Sequence, residues 1–168
     1  TRRTEDEIDA ANPRAENSWG HLIRLKNDHS HLSVHFYWDL FVLAGPGDGV
    51  DGSPVPAESA FGSPDGLWSD PSGRLWIQTD GAQPEDANDQ LLCSDPATGE
   101  IKRFLTGVKG CEITGITMTP DQRTMFINVQ HPGNGDPEAS SWPSGVAGEV
   151  PRAATVVITK NDGGIIGS

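Results

Sequence analysis

Basic residues are scarce in this chain: 12 Lys and Arg stand against 24 Asp and Glu over 168 residues, a formal net charge of -12. A surface this acidic repels a phosphate backbone, which removes nucleic acid from the expected partners. Long apolar runs are also missing, and with them any segment able to cross a membrane as a helix. Cysteine is nearly absent. Cys93 and Cys111 are too few for a disulfide framework, and they are left to pair, to stay free or to serve a metal. The hydrophobic share, 35%, is below the usual level of a compact domain. The opening stretch from Thr1 to Asp9 is polar and has no apolar signal core; if the parent protein is secreted, its signal is expected upstream.

Chain breakers are abundant, with 20 Gly and 13 Pro. That leaves little room for long helices and favours short strands joined by turns. The acidic surface suits hard cations, which take oxygen ligands. Net charge alone speaks more to solubility than to a site.

Periodicity divides the chain further. Residues 1–18 read as a polar lead-in. Trp19 to Leu25 and His35 to Ala44 are strand candidates that form a hairpin, and 45–63 is a long loop rich in Gly, Pro, Ser and Asp. Four short strands are then expected, at Leu67 to Asp70, Leu75 to Thr79, Gln90 to Ser94 and Ile101 to Leu105. The pattern restarts with Gly115 to Thr119 and Met125 to Val129, and Ala154 to Lys160 and Ile165-Ile166 supply two last strands. Pro71 and Pro120 stand 49 residues apart (71 to 120), and Arg74 and Arg123 share that spacing. Trp76 matches Phe126 after a one-residue insertion at Thr124. A four-stranded repeat near this length is the signature of propeller blades. The expected class is therefore all-β, a partial β-propeller of two to three four-stranded antiparallel blades, with blade-like repeats at about 62–107 and 109–168. A β-sandwich with accidental similarity is the competing architecture.

The segments NPRAENSWGHLIRL, FYWDLFVLAG, GSPDGLWSDPSGRLWIQTDG, GCEITGITMTPDQRTMFINVQHPG and PRAATVVITKNDGGIIGS resemble the C-terminal part of the PhoX-type alkaline phosphatases. The likeness runs from about Asp9 to Ser168. It implies a secreted bacterial phosphomonoesterase, periplasmic or extracellular and exported through the twin-arginine route, with a six-bladed propeller and a Ca2+ and Fe3+ cluster held by carboxylates and one cysteine. Neither Cys93 nor Cys111 matches that cysteine, and much of the family's site lies outside the resemblance. The implied partners are a phosphate monoester and either the remaining blades or a second copy; no nucleic acid or membrane partner is expected.

The candidate site residues follow. Asp65, in Ser63-Pro64-Asp65-Gly66, is a metal ligand by the resemblance; by itself, a Pro-Asp-Gly turn is the commoner role. Glu112 falls two residues from the position that the repeat spacing pairs with Asp65, and is the second expected ligand. Asp80, at a Thr-Asp-Gly strand end, is expected as a ligand or as a turn residue. Arg14 offers a planar fork that suits phosphate oxygens and is the expected catalytic group. His131 is the expected substrate contact, and His21 is a weaker candidate. Two other readings stay open: a non-catalytic propeller fragment that only binds, and a calcium-dependent lactonase or phosphotriesterase-like hydrolase.

Overall fold

The computed structural model describes residues 8–168. The expectation of a polar lead-in at residues 1–7 lies outside that range. Among the described residues the strands form three antiparallel sheets, and helix is limited to short 3-10 turns.

The first sheet pairs β1 (His21–Asn27) with β2 (Phe36–Leu43), from His21 opposite Leu43 to Asn27 opposite Phe36, with a register shift between Leu22 and Ile23. The second is a meander of β3 (Pro64–Ser69), β4 (Leu75–Thr79), β5 (Gln90–Asp95) and β6 (Glu100–Thr106). The third joins β7 (Glu112–Met118), β8 (Thr124–Gln130) and β9 (Ala154–Thr159). Turn chemistry explains the joins. Pro71-Ser72-Gly73 closes β3 onto β4, with Gly73 at φ 85°, and Pro120-Asp121-Gln122 closes β7 onto β8.

The middle sheet is covered on both faces, which is why β4 reads as a nearly continuous apolar run. Trp76 and Leu91 are buried in a core shared with Ile113, Ile116, Met125, Ile127 and Ile166. Their neighbours Ile77 and Leu92 point the other way, into a core with Leu22, Val42, Val55 and Phe61. The long loop from 45 to 63 thus contributes Val55 and Phe61 to the interior.

One expected strand is absent: Ile165-Ile166 forms a turn. Gly163 and Gly167 adopt φ 68° and 80°, which breaks the extended run on either side. The Ile166 N–H bonds Gln122 O at 2.9 Å, and its side chain is a core plug at 1% exposure.

The 49-residue spacing has a counterpart in backbone geometry. Both β3 and β7 carry a bulge, between Pro64 and Leu67 and between Thr114 and Thr117. Each bulge holds a glycine facing an amide side chain. A Cβ on Gly66 would stand 2.3 Å from Gln78 Nε2, and one on Gly115 would stand 2.2 Å from Asn128 Nδ2. Gln78 uses its other end to join two sheets: its Oε1 accepts the Ile116 N–H at 3.0 Å.

Candidate metal centre

The antiparallel order brings the start of β3, the end of β4, the start of β7 and the end of β8 to one end of the second and third sheets. Pro64 pairs with Thr79 and Glu112 pairs with Gln130. Asp80 therefore follows β4, Glu112 opens β7 and His131 follows β8. Ligand atoms of these three side chains all lie within 4.8 Å of one another. His131 Nε2 is 3.5 Å from Glu112 Oε2. Glu112 is sheltered, with 14% of its side chain exposed, while Asp80 and His131 face solvent. Among the described residues no lysine or arginine ion-pairs with Asp80 or Glu112.

Each member is held by backbone. The Asp80 N–H bonds Ser63 O at 3.1 Å. The turn that carries Asp80 is built around Asp89, whose Oδ1 accepts the Thr79 hydroxyl (2.7 Å), the Gly81 N–H (3.1 Å) and Gln83 Nε2 (2.9 Å). Burial pushes the Asp89 carboxyl above its ordinary range against the pull of those donors, and the charge of Asp80 adds to the rise. His131 sits at φ 32° ahead of a 3-10 turn at Pro132–Gly135. That turn is tied to the 107–111 loop by Gly133 N–H to Lys109 O (2.7 Å) and Asn134 N–H to Gly110 O (3.3 Å).

Asp65 is near this group but outside it. It shares with Asp80 a cleft of about 160 Å³ that is also lined by Ser18, Trp19, Gly20, Ser63 and Pro64. Ser18 and Trp19 also line a second cleft, of about 350 Å³, whose other walls include Arg14, Glu16 and Asp51. Arg14 is locked in place: Nε donates to Asn17 Oδ1 (3.1 Å), Nη1 to Asp51 O (2.9 Å), and Nη2 to Ala44 O (2.8 Å) and to Asn17. Burial lowers its pKa, an effect that Asp51 opposes. His21 meets Asn17 Nδ2 through Nδ1 at 2.7 Å. So Asp80, Glu112 and His131 converge, Asp65 reaches the same end through Asp80, and Arg14 lies one cleft further along.

Sequence reasoning missed Asp89 and Asn17, which fix the scaffold. Both sit in polar stretches that read as exposed loop, yet Asn17 has 0% and Asp89 8% exposure. Cys93 and Cys111 are both free. Burial pushes the Cys111 thiol up to about 11 and raises that of Cys93, so both thiols stay protonated at neutral pH.

Fold and site together define a class: an all-β chain that gathers carboxylates and an imidazole where neighbouring sheets end. Residues 1–133 match the family described as alkaline phosphatase PhoX. Among solved structures, Pseudomonas fluorescens PhoX in complex with vanadate, a transition state analogue, is similar at 44% identity with a TM-score of 0.89. The alignment covers 99% of this chain and 31% of that one, so the chain spans about a third of the relative's length. No curated protein matches. The chain belongs to the PhoX alkaline phosphatase family.

Proposed function

We propose that this chain forms part of a metal-dependent phosphomonoesterase and supplies Asp80 and Glu112 to its metal site. The observation that carries the reading is the convergence of Asp80, Glu112 and His131 ligand atoms within 4.8 Å. Vanadate in the Pseudomonas relative supports it, since vanadate imitates a phosphoryl group in transfer.

The donor set fits a metal of the family's kind. Two carboxylates that no lysine or arginine pairs with among the described residues repel one another until a cation stands between them. Calcium takes six to eight oxygens and ferric iron accepts carboxylates, so Ca2+ and Fe3+ remain the proposed ions, with other ligands drawn from the rest of the protein. When bound, such ions lower the charge on phosphate oxygens and acidify water.

This chain's own residues do the rest. Asp80 and Glu112 hold charge at a fixed point, and Asp65 extends the acidic lining toward the adjoining cleft. Arg14 is the proposed phosphate contact. Its guanidinium is pre-set by carbonyl and amide oxygens, and Nη1 donates to Asp51 O. A donor immobilised in this way needs no rearrangement as charge develops on a phosphoryl oxygen. Water then adds to phosphorus, the alcohol leaves with a proton, and phosphate is released.

The second and third sheets act as blades of a propeller, spanning about 62–107 and 109–168. Remaining blades, or a second copy, complete the arc. The intact protein works in the periplasm or outside the cell.

A substrate panel on the intact protein tests the reaction class. The expected outcome is turnover of p-nitrophenyl phosphate well above that of a lactone or a phosphotriester. Preference for the lactone or the triester would overturn the phosphomonoesterase reading and favour the related calcium-dependent hydrolases.

A further inference from the structure

A molecule that touches both Asp80 and Arg14 has to cross one wall. The cleft that holds Asp65 and Asp80 and the cleft that holds Arg14 share two lining residues, Ser18 and Trp19. Trp19 supplies the one aromatic ring among the described residues around the two clefts. The remaining walls are built from small or charged residues, which offer a bulky apolar group nothing to cover.

The ring is held at this wall from several sides. Trp19 is half-buried and packs against the core that contains Leu22, Val42 and Phe61. A Cβ on Gly62 would stand 2.9 Å from Trp19 Cε3, so glycine there lets the ring edge lie against the backbone ahead of β3. The Trp19 carbonyl accepts the Ser63 N–H at 2.8 Å. Asn17, which is fully buried, fixes the spacing to Arg14. Its Oδ1 accepts Arg14 Nε at 3.1 Å and the Gly20 N–H at 3.1 Å. Guanidinium and indole therefore belong to one rigid turn, which has little freedom left to lose when a ligand arrives.

We propose that Trp19 is a specificity-determining residue, whose indole receives the alcohol part of the phosphate monoester and favours aromatic alcohols over small polar ones. This role rests on the phosphomonoesterase reading, in which the phosphoryl group is held beside Arg14. A flat aromatic group that covers the indole gains burial and dispersion, whereas a glycerol group keeps its hydroxyls in water. Trp19 touches no reacting atom; it acts on binding and not on the bond that breaks. The competing role is structural, with Trp19 as a filler between Gly62 and the core, and a filler affects every ester alike.

The test measures kcat and KM of the intact protein for p-nitrophenyl phosphate and for glycerol phosphate, in wild type, Trp19→Phe and Trp19→Leu. Phenylalanine keeps a flat face, and leucine keeps apolar bulk without one. Circular dichroism checks the fold of each variant. The expected result is that Trp19→Leu lowers the aryl-over-glycerol ratio of kcat/KM by about 5–10-fold, through KM for the aryl ester, while Trp19→Phe keeps most of the ratio. An unchanged ratio in Trp19→Leu overturns the proposal. So does an equal loss for the two esters, or a ratio that falls as far in Trp19→Phe as in Trp19→Leu, because either result marks a structural role. Wild type alone supplies a second measurement, which stands even where a variant fails to fold. Benzylphosphonate, which is not hydrolysed, should inhibit more strongly than methylphosphonate, and equal inhibition overturns the proposal. If wild type turns over neither ester, the phosphomonoesterase reading fails and the role of Trp19 fails with it. Turnover with any of the other adverse results removes the role of Trp19 alone.

Discussion

Asp70 gathers a buried network on one carboxylate. Its Oδ2 accepts Arg74 Nε at 2.6 Å and the Trp76 indole N–H at 3.0 Å, and its Oδ1 accepts the Ser72 and Arg74 backbone N–H groups. Its side chain has 0% exposure. Burial by itself would raise its pKa, but the donors from Trp76 and Arg74 outweigh it and hold the carboxyl below its ordinary value. A depressed carboxyl stabilises the fold fully above the unfolded pKa, and that contribution is lost as pH falls through the folded value. The urea midpoint should therefore fall as pH drops below about 4, the unfolded range of an aspartate. Asp70→Asn should lower stability at neutral pH by about 3–5 kcal/mol, because it leaves the Arg74 charge uncompensated, and should flatten that acid limb. An unchanged acid limb in the variant would show that other carboxyls govern it. The next sheet has threonine, Thr119, at the equivalent place and carries its acid on the other side of the turn proline. In the next sheet Asp121 Oδ1 takes the Thr119 hydroxyl and the Arg123 N–H, in the open. The shared arginines at 74 and 123 were legible in the sequence. The burial of one acid and the exposure of the other were not, because burial depends on Trp76 lying over the first.

At the scale of strands, the two bulges decide how neighbouring sheets meet. Gly66 allows Gln78 to lie against the β3 backbone and reach the Ile116 N–H in β7. Gly66→Ala should push the Gln78 amide aside and leave that N–H without its acceptor, at a cost of about 1–3 kcal/mol. Hydrogen exchange resolves the effect: Ile116 should exchange faster, while amides in the β5–β6 ladder keep their rates. Uniform acceleration across all strands would instead mean general loosening. Most strands were readable from alternation and turn residues. Leu75 to Thr79 has the expected bounds, and Ala154 to Thr159 ends one residue early. The starts of β3 at Pro64 and β7 at Glu112 lie three residues ahead of expectation. The bulges explain this, since Gly66 reads as part of a Pro-Asp-Gly turn and Gly115 as the first residue of its strand, yet both sit inside bulged strands. Candidate ligands on adjacent strands were legible for the same reason, whereas their grouping was not. Asp65 and Glu112 look equivalent by spacing, yet Asp80 is the acid that joins Glu112, because it follows the strand paired with β3.

For the molecule as a whole, the sheets are held together by two separate cores, and the C-terminal turn closes one of them. Ile166 packs with Trp76, Ile113 and Met125 between the second and third sheets. Ile166→Ala should destabilise the protein by about 2–5 kcal/mol, read as a lower urea midpoint with an unchanged slope. A change below 1 kcal/mol would show that the site collapses around the smaller residue. No helix among the described residues is long and apolar enough to cross a membrane. The acidic corner is exposed at one end of this sheet pair, where ligands from the rest of a larger protein can meet it. In the proposed function, Asp80 and Glu112 hold the metal on which phosphate ester hydrolysis depends. The direct measurement is metal content and p-nitrophenyl phosphate turnover on the same samples of intact wild type, Asp80→Asn and Glu112→Gln. Each variant is expected to lose bound metal and roughly 100-fold or more in kcat together. Full metal content with normal turnover in both variants would contradict it.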